Sequence, residues 1–405
     1  MKIIGLDVGR GSVVFCCLTD LPDNLQQHYR HMMRSHFFHH VKSNRFGVEL
    51  LLDYKPDAII LEPTGHWYAH FWVTVAKKNE IEIFWVGNSD LDKLRGSYGF
   101  VNKRDSSDAF TLACSYFDPR FINRDGSKRF LKFYYNNSLS IARIRELFLE
   151  KEQLQKIRMQ MISQLRQRLA VEYPEAVTST ITISQKRGFS PFIGWLANKQ
   201  SSTYHQNKYR QSIARCIGVE ISDYTLAHAE MIYSLETRIV DYYSCFENLL
   251  DEPQWQPYVK VFDRFGFGIN LKILLLYYCY PFDKFLIDGK PWIEREPTVA
   301  GKMQKRDRSL RKFQSYLGMG YSFKQSGELN KSKFAGSSMM RSHLYIWAVC
   351  RIASTRGRHR SAEITRIAKR YDELRKTIKG KDALIRILFL TTRHLYRELL
   401  NSINS

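Results

Sequence analysis

The sequence predicts an α/β domain at the N-terminus, followed by two regions that are mainly helical. Short apolar runs separated by turns and amphipathic stretches fill the first 130 residues, which is typical of alternating strands and helices. Beyond them, apolar residues recur at spacings of three, four and seven, as in long helices. With 405 residues and 44% hydrophobic content, the chain can build several cores. We therefore expect domains at 1–130, 131–255 and 256–405.

The N-terminal elements can be placed in order along the chain. The pattern predicts strands at 2–7, 12–18, around 36–39, 58–62 and 81–86, and helices near 44–54, 66–78, 89–97 and 105–117. A meander of strands followed by strand–helix alternation is the plan of an RNase H-like fold.

Four acidic residues lie where these elements end or begin. Asp7 closes the first strand, Glu62 ends the strand before Pro63, and Asp105 and Asp108 open a helix three residues apart. That spacing puts the last two on one helix face. Each alone has an ordinary explanation, since Asp7 could mark a strand end and Asp105 a helix N-cap. Together they predict a cluster of carboxylates.

Carboxylates that converge repel one another unless cations neutralise them. Their hard oxygen ligands suit Mg²⁺ or Mn²⁺ rather than zinc. Two such ions roughly 4 Å apart are the arrangement used for phosphodiester displacement. The sequence therefore predicts a magnesium site on Asp7, Glu62, Asp105 and Asp108.

The middle region reads as two long helices, 138–172 and 223–250, that pair as an antiparallel coiled-coil arm within or between chains. Plain helices on a globular core are the alternative. A small helical insertion is expected at 175–220, with no function assigned to it. Residues 286–308 look like an extra loop, and 342–401 reads as helical.

Positive charge is the strongest bulk signal. The chain carries 62 Lys and Arg against 40 Asp and Glu, a formal net charge of +22. Between Lys302 and Lys379, 20 basic and 5 acidic residues give +15. Such a field favours a polyanionic partner, most simply nucleic acid, over a merely soluble basic protein.

Seven cysteines without a CxxC pair, no long apolar run and no leader-like N-terminus predict a cytoplasmic protein without membrane contact.

Several short motifs add specificity in combination. They are Gly5-Leu-Asp-Val-Gly9, Leu61-Glu-Pro-Thr-Gly-His66, Lys103-Arg-Asp-Ser-Ser-Asp-Ala109, Tyr316-Leu-Gly-Met319, Gln325-Ser-Gly327 and Ser332-Lys333. The set resembles the DEDD transposases of the insertion sequence 110 family, which includes the pilin-gene invertase. Arg10, Arg104 and the run Gly87-Asn-Ser depart from that family's usual residues, and none of these departures touches a carboxylate. Phe265 stands where the family usually has proline.

The resemblance implies a RuvC-like catalytic domain and a C-terminal transposase domain whose serine attacks DNA. That serine corresponds to Ser326, which spacing alone would class as an ordinary Ser-Gly turn. The resemblance further implies donor and target DNA, a structured bridge RNA as guide, and a homodimer or tetramer. Basic residues near these motifs are expected to contact nucleic acid: Lys103, Arg104, Lys324, Lys331, Lys333, Arg341, Arg356, Arg358 and Arg360.

Three other functions fit parts of the sequence. A RuvC-type structure-selective endonuclease would need the carboxylates but not Ser326. An actin-like sugar kinase would share the loop Leu6–Ser12 but needs a second phosphate loop, which the sequence lacks. A noncatalytic nucleic-acid-binding protein would retain the fold without cleaving DNA.

Overall fold

The computed structural model describes residues 1–62, 66–122, 131–133, 139–183, 188–297, 303–326, 329–358 and 361–404. For a few of these, among them 322–326 and 329–332, it describes the backbone alone. The chain forms two compact units, Met1–Asn136 and Asn137–Ser405. The arm expected at 131–255 and the domain expected at 256–405 thus share the second unit, apart from the first few residues of the arm.

The first unit alternates strands and helices. Its elements are β1 (Ile3–Val8), β2 (Ser12–Leu18), α1 (Leu25–Arg34), β3 (His39–Lys42), α2 (Arg45–Asp53), β4 (Ala58–Leu61), α3 (His66–Lys78), β5 (Glu82–Val86), α4 (Asn88–Ser97), α5 (Asp105–Phe117) and β6 (Leu131–Phe133). The predicted α/β class is confirmed. Three elements differ: the third strand begins three residues later than expected, and neither α1 nor β6 is among the predicted elements.

One mixed sheet organises this unit, with strand order β3-β2-β1-β4-β5-β6. β1, β2 and β3 form an antiparallel meander, β4 and β5 run parallel to β1, and β6 is antiparallel to β5. Strand side chains alternate between two faces. Ile4, Leu6 and Val8 of β1 pack in one apolar cluster, while Ile3 packs with α5 in the other.

The second unit is mainly helical, as predicted. Its elements are α6 (Leu139–Glu172), α7 (Pro191–Leu196), α8 (Thr203–Arg210), α9 (Ile213–Cys216), α10 (Asp223–Asp251), α11 (Gln256–Arg264), α12 (Ile269–Cys279), β7 (Ile293–Pro297), β8 (Met303–Asp307), α13 (Arg308–Tyr316), β9 (Gly320–Ser326), β10 (Leu329–Ala335), α14 (Ser338–Trp347), α15 (Ala362–Arg375) and α16 (Gly380–Asn404).

The long helices α6 and α10 pair antiparallel within the chain. Three contacts join the helices: Tyr242 donates to Glu150, Arg158 pairs with Glu236, and His228 contacts the Met161 carbonyl. The residue numbers on α6 increase along the pair while those on α10 decrease, as in antiparallel helices. At one end of the pair, Phe148 and Phe246 join the large C-terminal core. That shared core explains why the arm and the C-terminal helices form one unit.

Two insertions have defined structures. The helices α7, α8 and α9 occupy the stretch expected at 175–220, in agreement with the predicted helical insertion. The stretch 286–308 contains the antiparallel hairpin β7–β8 rather than a plain loop. None of the helices in the described residues is both long and apolar enough to cross a membrane.

Candidate active site

Asp7 and Glu62 lie side by side at one edge of the sheet. β1 and β4 are parallel, and Leu6 is in register with Leu61; the residue after each is acidic, Asp7 within β1 and Glu62 directly after β4. Asp7 faces α5, because its strand neighbours Leu6 and Val8 point into the cluster on the opposite face. Glu62 is buried and Asp7 is partly buried. The parallel pairing therefore brings together two carboxylates that are 55 residues apart in the sequence.

The helix α5 packs directly against β1 because of Gly5. A Cβ at that position would lie 1.9 Å from the Ala109 carbonyl oxygen and 2.6 Å from the Ala113 nitrogen. Only glycine permits so close an approach of helix and strand. Asp105 precedes Ala109 by one turn, so the glycine holds the start of α5 next to the face that carries Asp7.

Asp105 is the first residue of α5 rather than its N-cap. The cap position belongs to Arg104, whose backbone N–H donates to the Ser107 hydroxyl at 3.1 Å. Asp105 is exposed, while Asp108 is buried. A carboxylate in the first turn is favoured by the helix dipole, which gives Asp105 a structural role as well.

The electrostatics of Asp7 show that the four predicted carboxylates interact. The pKa of Asp7 is raised to about 7, first by burial and then by the negative charges of Asp105, Asp108 and Glu62 in that order, with Lys103 lowering it. Burial disfavours the charged form of a carboxyl group, and nearby negative charges disfavour it further. Elements distant in the sequence thus converge at one sheet edge.

Arg95 of α4 is a member of this site that the sequence did not single out. Its guanidinium donates to Asp108 at 2.6 Å and to Asp92 at 2.8 Å, and it is mostly buried. One oxygen of Asp108 is therefore held by a permanent cation. An arginine in a polar helix carries no sequence signal of such a role, because the contact exists only once α4 and α5 pack together.

The donor set fits a hard divalent cation. All four groups are carboxylates, the ligands that Mg²⁺ and Mn²⁺ prefer. Within the described ranges, no three acidic, histidine or cysteine side chains are already arranged as a metal site. The negative charges of Asp105, Asp108 and Glu62 nevertheless contribute to the raised pKa of Asp7, and Lys103 opposes them. Asp7, Glu62 and Asp105 are the groups best able to take up a cation, with Asp108 shared with Arg95.

Cationic side chains border the same edge. Lys103 and Arg104 are exposed immediately before α5, as expected for residues that contact nucleic acid. Lys42 is exposed where β3 pairs with Ser12, beside the turn that holds Arg10. Of these cations, Lys103 lies close enough to lower the pKa of Asp7, so positive charge adjoins the carboxylates.

Ser326 is the last residue of β9, in the hairpin β9–β10 of the second unit. Its backbone pairs with Leu329, which makes it the end of a strand rather than part of a long flexible loop. Its side chain, those of Lys324 and Lys331, and all of Gly327 lie outside the described residues.

The base of this hairpin is fixed by two glycines. Gly318 and Gly336 have φ of +78° and +89°, and a Cβ on either would lie about 2 Å from a backbone oxygen, at 2.1 Å and 1.9 Å respectively. The Arg341 guanidinium donates to the Gly318 carbonyl at 2.8 Å and lies 5.0 Å from the Phe334 ring centroid. Arg341 thus stabilises the hairpin β9–β10, which contains Ser326.

The other basic residues predicted to bind nucleic acid have different surroundings. Lys333 and Arg356 are exposed. Arg358 forms a bidentate pair with Asp372, at 2.8 and 2.6 Å, so it serves the fold of its own region. Arg360 lies outside the described residues.

No protein-family model matches the chain, and no curated protein matches it.

Proposed function

We propose that this protein is a magnesium-dependent DNA recombinase, a transposase of the kind that its motifs resemble. The observation that carries the proposal is the convergence of Asp7, Glu62, Asp105 and Asp108, expressed in the raised pKa of Asp7. Clustered carboxylates with positive charge adjoining them suit cleavage of a phosphodiester backbone. The chain's +22 charge supports a nucleic-acid substrate.

We further propose that the first unit has an RNase H-like fold of the RuvC type. The sheet order β3-β2-β1-β4-β5, with its antiparallel meander and parallel β4 and β5, supports this assignment. So does the position of α5, which packs against the central strand and supplies two of the acidic residues.

The carboxylates of Asp7, Glu62 and Asp105 would hold Mg²⁺, and Asp108 would share it while paired with Arg95. When bound, Mg²⁺ supplies charge stabilisation at the phosphoryl oxygens. Lys103 and Arg104 would hold the DNA strand at the edge through its neighbouring phosphates.

Ser326 would act as the nucleophile. Its hydroxyl oxygen forms a bond to the scissile phosphorus, the hydroxyl proton passes to solvent, and the departing sugar oxygen takes up a proton. The DNA is then held as a phosphoserine ester, and attack by a sugar hydroxyl of a second strand releases the serine. The resemblance supports a bridge RNA that selects donor and target DNA, and a dimer or tetramer that joins them.

A trapping experiment tests this proposal. Purified protein, Mg²⁺, RNA transcribed from the sequence flanking the gene and DNA joining the two flanks are incubated, and the products are run on denaturing gels. The wild type is compared with Ser326→Ala, Asp105→Ala and Asp7→Asn. Asp57→Asn serves as a matched control, because Asp57 pairs with the Lys2 backbone at the opposite edge of the same strands. We expect a protein–DNA adduct in the wild type and the control only.

Two outcomes would contradict the proposal. Cleavage without an adduct that survives Ser326→Ala would leave a nuclease that uses an activated water. DNA binding that is insensitive to Mg²⁺, with no cleavage by any variant, would leave a noncatalytic nucleic-acid-binding protein.

A structure-selective endonuclease of the RuvC type is the second candidate. The observation that favours it is that all four carboxylates belong to the unit Met1–Asn136, whereas Ser326 belongs to the other. Phosphodiester hydrolysis by water would need only the first unit's residues.

A further inference from the structure

The segment that contains α1 has an unusual charge pattern. Between Asp23 and Glu49 there is no acidic residue. The same segment contains two arginines in α1, Lys42, Arg45 and five histidines: His28, His31, His36, His39 and His40. A stretch of this length without a carboxylate has no internal partner for its cations.

The helix α1 has a buried face and a cationic face. Met32 is buried, and the Tyr29 hydroxyl shares a hydrogen bond of 2.8 Å with the hydroxyl of Ser106. The exposed stripe consists of Gln27, Arg30, His31 and Arg34, at positions i, i+3, i+4 and i+7. The packing of one face therefore fixes the direction in which the arginines point, towards solvent.

Arg30 and Arg34 are not engaged in the fold. In the part of the chain that the structure describes, neither forms an ion pair or a side-chain hydrogen bond, whereas Arg45 pairs with Glu49 at 2.6 Å. Like charges at i and i+4 disfavour a helix. The helix dipole favours Arg34 in the last turn but not Arg30 in the middle. Helix stability therefore does not explain why both positions carry arginine.

The position of α1 explains the pair of exposed arginines. Ser106, to which Tyr29 bonds, directly follows Asp105 at the start of α5. The cationic stripe thus belongs to a helix that is anchored beside the carboxylate edge. Four residues of an α-helix rise about 6 Å, so Arg30 and Arg34 are spaced to reach neighbouring phosphates of one strand.

We propose that the Arg30/Arg34 face of α1 binds the backbone of the DNA duplex next to the strand that enters the carboxylate edge. This inference rests on the proposed function, because it takes DNA as the substrate of that edge. A duplex is favoured over RNA because the phosphates nearest to the site are those of the strand to be cut. The two guanidinium groups each replace condensed counterions on the duplex.

The test is a salt titration of DNA binding by the full chain. Fluorescence anisotropy follows a labelled duplex of about 30 base pairs, a length that covers a typical specific interface. A structured RNA hairpin is measured in parallel. The double variant Arg30→Gln/Arg34→Gln is compared with Arg30→Lys/Arg34→Lys, which keeps the charge. Lys55→Gln/Lys78→Gln is the matched control, since these exposed lysines precede β4 and β5 at the opposite edge of the sheet.

We expect the Arg→Gln double variant to bind duplex DNA about tenfold more weakly near physiological salt. The slope of log K against log salt should flatten by about 1.8, or 0.9 for each lost phosphate contact. The Arg→Lys variant should keep the wild-type slope, and the lysine control should change neither quantity. Asp7→Asn should bind with the wild-type slope while failing to cleave.

An unchanged duplex slope in Arg30→Gln/Arg34→Gln would overturn the inference, as would an equal change in the lysine control. A slope change confined to the RNA hairpin would assign the surface to RNA and also overturn it. If the wild type cleaves DNA but Arg30 and Arg34 do not contribute to duplex binding, the proposed function stands and only the inference about α1 fails. If duplex binding depends on the arginines but no form of the protein cleaves DNA, the proposed recombinase function is wrong, while the proposal for the Arg30/Arg34 face stands.

Discussion

Glu236 in the helical arm and Asp7 at the sheet edge are both carboxylates held largely out of water, and their surroundings have opposite charge. Glu236 is fully buried and receives two hydrogen bonds from Arg158, at 2.9 and 2.7 Å, and one from the Ser190 N–H at 2.7 Å. Arg158 also donates to the Ile181 carbonyl. Every charge there has a partner.

Asp7 has the reverse arrangement. Its neighbours include three further carboxylates, and its pKa is raised to about 7, first by burial and then by those charges. A buried charge that serves only the fold is normally paired and hydrogen-bonded. Carboxylates left in mutual repulsion lower stability, so their presence indicates a role outside the apo fold. The comparison separates a structural pair from a candidate site within one chain.

The largest expected effect is on catalysis. Asp7→Asn should lower DNA cleavage by about a thousandfold, because loss of a metal ligand removes several kcal/mol of transition-state stabilisation. Single-turnover cleavage with Mg²⁺ measures it. Asp57→Asn should cleave like the wild type. Equal activity of Asp7→Asn and wild type would remove Asp7 from the site.

The structural pair should respond in stability instead. Glu236→Gln leaves Arg158 buried without its counter-charge, so the free energy of unfolding should fall by about 3–5 kcal/mol. Denaturant titration measures it. Glu230→Gln on the same helix breaks a half-exposed pair with Lys199, and exposed pairs contribute less than about 1 kcal/mol. Similar losses of unfolding free energy in Glu236→Gln and Glu230→Gln would show that the buried pair contributes no more than the exposed one.

The spacing of α5 from β1 should matter to both stability and site. Gly5→Ala forces a methyl group against the Ala109 carbonyl, so the free energy of unfolding should fall by about 1–3 kcal/mol. The displaced α5 should also lower cleavage. Gly96→Ala is the control, since a Cβ there meets no atom within 4 Å. A Gly5→Ala protein as stable and active as wild type would show that the close packing is dispensable.

The smallest expected effect is a pH dependence of stability. Asp7 has a folded-state pKa of about 7 against an ordinary value of 3.8. Between these values the folded state holds a proton that the unfolded state has lost, so stability falls as pH rises from about 4 to 7. Partial solvent screening reduces the effect to about 2 kcal/mol.

This pH effect is isolated as the difference in unfolding free energy between wild type and Asp7→Asn at pH 5 and pH 8. Asparagine should be relatively more stable at pH 8. Added Mg²⁺ should raise the melting temperature of the wild type at pH 8 and leave Asp7→Asn unchanged. A difference between the two proteins that does not vary with pH would show that Asp7 is ionised throughout.

The local patterns determined most of the secondary structure. The alternation around Glu62 and the polar start at Asp105 predicted β4 and α5 to within a residue, because burial of an apolar face fixes each element locally. The helix α1 was missed because its polar, histidine-rich sequence masks the few apolar contacts of Leu25, Tyr29 and Met32. For the same reason the predicted third strand, around 36–39, begins before His39, where β3 starts.

The sequence by itself determined the α/β and helical regions, the positive charge, and which carboxylates are candidates. These follow from composition and periodicity, which act over a few residues. Only the tertiary structure decided that the four carboxylates share one sheet edge, that Arg95 pairs with Asp108, and that Arg358 is engaged by Asp372. It also decided that α1 turns Arg30 outward beside that edge. Such contacts join residues far apart in the chain, so their electrostatics arise only when strands pair and helices pack.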